Sequence, residues 1–266
     1  SGIPEREGRR GSAPESVGTM ARGRELGDRV GQRPQHPAQV SLALVTAGSR
    51  GDIEPFVHLA RYALRRGHSV LLALPDRSGV DTSGIPTTSL GVSFADLIAD
   101  QGVTPAAAIR SFRRTVRPTM ATLLEAAARE IVAFGPDVVV YHPKILVAPP
   151  VAVALGIPHV VVETVPSVSA TRAFPAPGVV NHSLGPLNRL SYHATNLARL
   201  TFEHEIRAAL ASVRLPAPPT FSSPAASLIP ISPSLLERPV DWPSTTHLTG
   251  PWDFTDDSDE PDTGDD

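Results

Sequence analysis

The sequence predicts an α/β fold: a Rossmann-like parallel sheet with helices on both faces, flanked by disordered tails. Two observations carry this. Runs that are apolar at nearly every position, such as Asp137–Tyr141 (DVVVY) and His159–Glu163 (HVVVE), suit strands covered on both faces. These runs alternate with stretches at helical spacing, and strand–helix alternation builds a parallel sheet. The 266 residues, 41% hydrophobic and 19% charged, suffice for one or two domains with a sizeable core.

The elements follow in order. Val40–Thr46 reads as a buried strand. Phe56, Leu59, Ala60, Ala63 and Leu64 fall on one face of a helix that Gly67 ends. Ser69–Leu74 is a second strand and Thr87–Leu90 a weaker third. Thr104-Pro105 suits the cap and first turn of another helix. Pro118 breaks or kinks that helix, and Met120, Leu123, Leu124, Ala127, Ala128 and Ile131 continue the spacing to Phe134. Gly135-Pro136 stops it before the DVVVY strand. A short helix runs to Leu155, Gly156 and Pro158 punctuate, and the HVVVE strand follows. Ser191–Leu210 reads as helix, and Ser227–Ile231 and Thr246–Thr249 as late strands.

Residues 1–39 carry few large apolar side chains and cannot bury enough surface to offset ordering entropy, so they are expected to be a disordered tail. Residues 253–266 (DFTDDSDEPDTGDD) hold acids and no bases, as an acidic tail or a linker would. The folded domain is expected over residues 40–252. A net charge of −3 argues against a nucleic-acid partner. The absence of cysteine excludes disulfides and thiolate chemistry. Metal-ligand spacings are missing among the nine histidines, so no metal is expected. No apolar run approaches the roughly 20 residues of a membrane span, and no signal-like segment opens the chain, so a cytoplasmic location is the expectation.

Ligands of parallel α/β sheets sit beyond the strand C-termini, which singles out three loops. The first, AGSRGDIEP, runs from Ala47 to Pro55. Gly48 and Gly51 permit tight backbone, Ser49 and Arg50 lie between them, and Asp52 stands where a helix begins. Asp52 reads either as a helix N-cap or as a base for a neutral hydroxyl. The loop matches no phosphate-binding glycine pattern, and an aspartate at a helix N-terminus would repel a phosphate. The second loop, YHPK, supplies Tyr141, His142 and Lys144. His142 reads as a general base or as a group that orients a neighbour, and Lys144 as a solvated or supporting charge. The third, ETVPSVSATRAFPAPG, is long, as binding loops are; Glu163, Pro166, Thr171, Arg172 and Phe174 are its candidate contacts. The same loop could equally be an inert surface excursion. No Gly-x-Ser-x-Gly elbow is present, which disfavours an α/β-hydrolase.

The stretch TAGSRGDIEPFVHLARYALRRGHSV resembles the opening of two-lobed GT-B glycosyltransferases, most nearly the sterol- and antibiotic-glycosylating group with the family 28 N-terminal domain. DVVVYHPKILVAPPVAVALGIPHV, TRAFPAP and LNRLSYH extend the resemblance from about Val40 to Trp252. It implies inverting transfer of a hexose from a nucleotide-sugar (UDP or TDP) to a hydroxyl of a lipid, sterol or macrolide-like aglycone. It makes this region the acceptor-binding lobe and Asp52 the proton acceptor. An apolar surrounding would raise the carboxylate's pKa, and a nearby Arg50 would oppose that. The donor lobe of such enzymes has no counterpart in this sequence. No cofactor is therefore expected on this chain, and the nucleotide-sugar is expected on a lobe of a longer parent chain or a partner chain. A non-catalytic auxiliary or truncated module holding an apolar small molecule is the alternative.

Overall fold

A computed structural model describes residues 2, 39–93, 110–218 and 222–252. The readings of residues 1–39 and 253–266 as tails lie outside them except at residues 2 and 39, and the reading of Thr104-Pro105 as a helix start lies wholly outside. Seven parallel strands form one sheet in the order β3-β2-β1-β4-β5-β6-β7. They are β1 (Ser41–Val45), β2 (Ser69–Leu74), β3 (Thr87–Ser89), β4 (Val138–Tyr141), β5 (His159–Val162), β6 (Ala226–Ile229) and β7 (Thr246–Leu248). Each expected strand is present: β2 keeps its expected bounds, β6 begins one residue earlier and ends two earlier, and the others are trimmed by a residue or two.

Strand composition follows from two-sided burial. On β1, Ala43 and Val45 enter one apolar cluster and Leu44 the other; on β4, Val139 and Tyr141 enter the first and Val140 the second. The second cluster is closed by α1 (Arg50–Arg65), whose buried stripe is Ile53, Phe56, Val57, Ala60 and Ala63. The expected stripe is thus rotated: Leu59 and Leu64 sit at its margin. The first cluster is closed by α2 (Arg117–Phe134), α3 (Ala148–Leu155) and α6 (Glu203–Ser212).

Pro118 neither breaks nor ends its helix. It lies at the second position of α2, preceded by one wider turn at Phe112–Val116. A proline removes an i→i−4 hydrogen bond, and widening the turn before it accommodates the loss. Gly135 stops α2 in a left-handed conformation (φ 63°) that a side chain would strain. The single helix expected over Ser191–Leu210 is three: α4 (Asn188–Ser191), α5 (His193–Thr201) and α6. Tyr192 and Phe202, both buried, mark the breaks, because packing them inward turns the chain.

Register sets the three loops side by side. Val45 pairs with Tyr141, and Tyr141 with Val161. Strand order reverses between β1 and β4, the topological switch point at which such sheets open a crevice. Truncating Phe56, which is 0% exposed between α1 and the sheet, should cost about 3–5 kcal/mol in urea unfolding.

Candidate functional site

The crevice is organised around Asp52. Ser49, not Asp52, is the N-cap of α1; Asp52 is the third helical residue. Its backbone N–H donates to the Ser49 carbonyl at 2.9 Å, and its carbonyl accepts from the Thr46 hydroxyl at 2.7 Å. Its carboxylate turns back toward the loop. Oδ2 accepts from Ser49 N–H at 2.9 Å, the Ser49 hydroxyl at 3.2 Å and Lys144 Nζ at 2.9 Å. Oδ1 accepts from Thr164 Oγ1 at 3.0 Å and lies 3.2 Å from His142 Nε2. Capping and charge recognition therefore use the same carboxylate. Pro55, expected in the first turn, falls one turn further into α1.

The tautomer of His142 follows from its neighbours. Its Nδ1 accepts the Lys144 backbone N–H at 3.2 Å, so Nε2 carries the proton and donates it to Asp52. Burial pushes the imidazole below its ordinary 6.5 despite the pull of Asp52, which keeps it neutral at pH 7.

Burial acts to raise the Asp52 pKa, as the sequence suggests. The hydrogen bonds of His142 and Lys144, with the positive charge of Lys144, outweigh it and hold the carboxyl well below its ordinary 3.8. The expected raised pKa is thus corrected, and so is the expected opponent. Arg50 points away to pair with Glu54 at 2.6 Å, and Lys144 takes its place. Lys144 is the chain's only lysine, yet nothing in its local sequence marks its partner, which is 92 positions away.

Gly48 is required here. Its φ is +140°, and a Cβ on it would stand 2.0 Å from Asp52 Oδ2 and 2.5 Å from Lys144 Nζ. Any side chain would displace the ion pair. Gly51, by contrast, is exposed and a Cβ there would meet nothing.

The third loop is fastened rather than open. Glu163 is fully buried, and its carboxylate accepts from Val168 N–H at 2.6 Å, Ser169 N–H at 3.0 Å, and the Ser169 and Ser227 hydroxyls. It faces the interior, not a ligand, because these donors consume both oxygens. Thr171 is also fully buried and donates to Asp241 at 2.6 Å; Arg172 N–H donates to the same carboxylate at 2.9 Å. Pro166 is buried, and Phe174 packs edge-on against Trp242.

A hollow of about 130 Å³ opens beside the second loop. Tyr141, Pro143, Ile145, Val161 and Val168 line it, with Arg199 and Ser222 as its polar groups. Asp52 does not line it; the hollow flanks His142 through Tyr141 and Pro143. The Asp52 side chain keeps 16% of its surface exposed, so it is neither sealed nor free. Among the described residues no cluster of three His, Cys, Asp or Glu could hold a metal, and no helix is long and apolar enough to cross a membrane.

The carboxylate of Asp52 is ionised in the fold and held by partners the unfolded chain lacks. Its contribution to stability is therefore present above pH 3.8 and is lost as pH falls below that value toward the folded-state pKa. The stability gap between the native chain and Asp52→Asn should accordingly be widest near neutrality and shrink below pH 3.8, read from urea midpoints across pH.

No protein-family model matches the chain. It is 29% identical over 239 residues to the O-mycaminosyltylonolide 6-deoxyallosyltransferase of Streptomyces fradiae, an alignment covering 79% of this chain and 54% of that protein. It is 27% identical over 236 residues to the sterol 3-beta-glucosyltransferase of Cryptococcus neoformans, covering 84% of this chain but 15% of that protein. The chain thus spans about half the length of the first relative and far less of the second. Among solved structures, the calicheamicin glycosyltransferase CalG4 superposes with a TM-score of 0.52 at 15% identity, over 80% of this chain and 53% of that one. The glycotransferase of kitacinnamycin gives 0.50 at 18%, over 81% and 52%. In sequence this chain is similar to glycosyltransferases named for macrolide and sterol substrates, and its seven-stranded sheet has the fold of one lobe of GT-B glycosyltransferases.

Proposed function

We propose that this chain is the acceptor-binding half of an inverting glycosyltransferase, in which Asp52 takes the proton of an acceptor hydroxyl. The observation that carries the reading is the Asp52 carboxylate, ionised and partly exposed at the switch point of the sheet, held by the loop after β4 that also walls an apolar hollow through Tyr141 and Pro143. The relatives, named for glycosyl transfer to macrolide and sterol substrates, supply the reaction class. The acceptor is then an apolar alcohol, and the hexose arrives as a nucleotide-sugar on a donor lobe outside this chain. The hydroxyl oxygen bonds to the anomeric carbon, the bond from that carbon to the diphosphate breaks, and the proton passes to Asp52.

His142 is a positioning residue in this scheme. Its unprotonated nitrogen faces the Lys144 backbone, so it cannot accept the proton; its N–H fixes the carboxylate. Asp52 already meets five donors, about as many as a carboxylate accommodates. A substrate hydroxyl must displace one. Lys144, with 44% of its side chain exposed, is the partner best placed to withdraw. Its departure would raise the basicity of Asp52 at the moment the hydroxyl arrives.

Two measurements test this on the chain joined to, or mixed with, a donor lobe. Asp52→Ala should lower turnover on the order of a hundredfold or more; unchanged turnover would refute the assignment. Lys144→Met removes a charge that depresses the Asp52 pKa, so the acid limb of the kcat/KM profile should move to higher pH.

A further inference from the structure

The hollow beside the second loop lies across that loop from Asp52. Tyr141 and Val161, two of its walls, point to the sheet face that α2, α3 and α6 cover, and Ile145 packs there with them. Asp52 stands on α1, which covers the opposite face. His142 turns to Asp52 while its neighbours Tyr141 and Pro143 wall the hollow, so one stretch of chain serves both. The volume of about 130 Å³ is close to that of an apolar protein cavity, about 150 Å³, that holds benzene. The hollow encloses one ring and leaves the rest of a larger ligand outside.

Its polar groups are of one kind. Arg199, from α5, is half-buried and carries five N–H donors, more than one neighbour consumes. Ser222 Oγ lies 2.8 Å from Nε2 of the buried His159, which burial keeps neutral. His159 Nδ1 has no partner, and a buried N–H without an acceptor is a rarer defect than a bare lone pair. The proton is therefore on Nε2. It donates to Ser222 and leaves the Ser222 O–H to turn to the hollow. His159 also packs on Tyr141, ring centroids 5.7 Å apart, so it steadies two walls. Burial raises the Tyr141 phenol above its ordinary 10, so it keeps its proton too. Among the described residues no acid lines the hollow. The charge of Glu163 reaches Tyr141, but its oxygens are taken by Val168, Ser169 and Ser227.

We propose that this hollow is a subsite for a ring-sized apolar group bearing a carboxylate, whose acceptor-only oxygens meet the Arg199 guanidinium and the Ser222 hydroxyl. A cation there would face Arg199, and a plain hydrocarbon ring would leave the donors unmatched. The same chemistry serves a free ring acid and the acidic end of a larger acceptor whose hydroxyl passes over the loop to Asp52. The second source rests on the proposed function. The subsite itself needs neither Asp52 nor turnover, so the two readings can fail separately.

The test is a ligand-observed NMR titration of the chain with benzoate, its neutral isostere benzamide and its cationic isostere benzamidine. Benzoate should bind on the order of a millimolar or tighter, benzamide roughly tenfold more weakly, and benzamidine not measurably. Arg199→Met should bring benzoate down to the level of benzamide, and Arg199→Lys, which keeps the charge, should restore part of the preference. Ser222→Ala, at an exposed position that the fold tolerates, should weaken benzoate about threefold. Asp52→Ala should bind benzoate as tightly as the native chain. In transfer assays with a donor lobe, benzoate that competes with the acceptor makes the acid one end of that acceptor. Benzoate that binds without competing makes it a separate small molecule, and both results keep the subsite. Benzoate bound no better than benzamide, or a preference that survives Arg199→Met, would overturn the inference.

Discussion

One charge meeting governs the crevice. The Asp52 carboxylate is reached by Ser49 from its own turn, by His142 and Lys144 after β4 and by Thr164 after β5. These segments are up to 112 positions apart in the chain. A half-buried carboxylate without partners would be costly or protonated. With five donors it stays ionised, and three loop starts are drawn to one point. The requirement for Gly48 is a consequence, since a side chain there would occupy the space of the ion pair.

A second carboxylate does different work at the same edge. Glu163 is wholly buried, and its donors are backbone N–H groups and hydroxyls rather than cations. It fixes the course of the loop after β5. Val168, whose N–H it accepts, is also a wall of the hollow, so the shape of the cavity depends on a group that never reaches it. Asp52 and Glu163 thus separate two tasks that one acid could not combine: keeping an ionised carboxylate partly exposed, and ordering the loop that walls the hollow.

The strands were legible because two-sided burial forces every position to be apolar, and DVVVY and HVVVE leave little else to read. The α1 turn was legible from its glycines and Asp52, although the cap itself falls on Ser49 and not on Asp52. What local chemistry could not set was helix continuity. The breaks at Tyr192 and Phe202 come from burying two aromatic rings, and the helix runs on through Pro118 because the wider turn at Phe112–Val116 accommodates the hydrogen bond the proline cannot make.

The sequence by itself determined the parallel sheet, the loop that bears Asp52 and the resemblance to glycosyltransferase lobes, because each is written in neighbouring residues. Tertiary structure alone decided that Lys144 and not Arg50 faces Asp52, that His142 donates and does not accept, and that Glu163 and Thr171 turn inward. Those outcomes depend on which loop ends the strand register brings level, and pairing between strands far apart in the chain leaves no local mark on the residues it brings together.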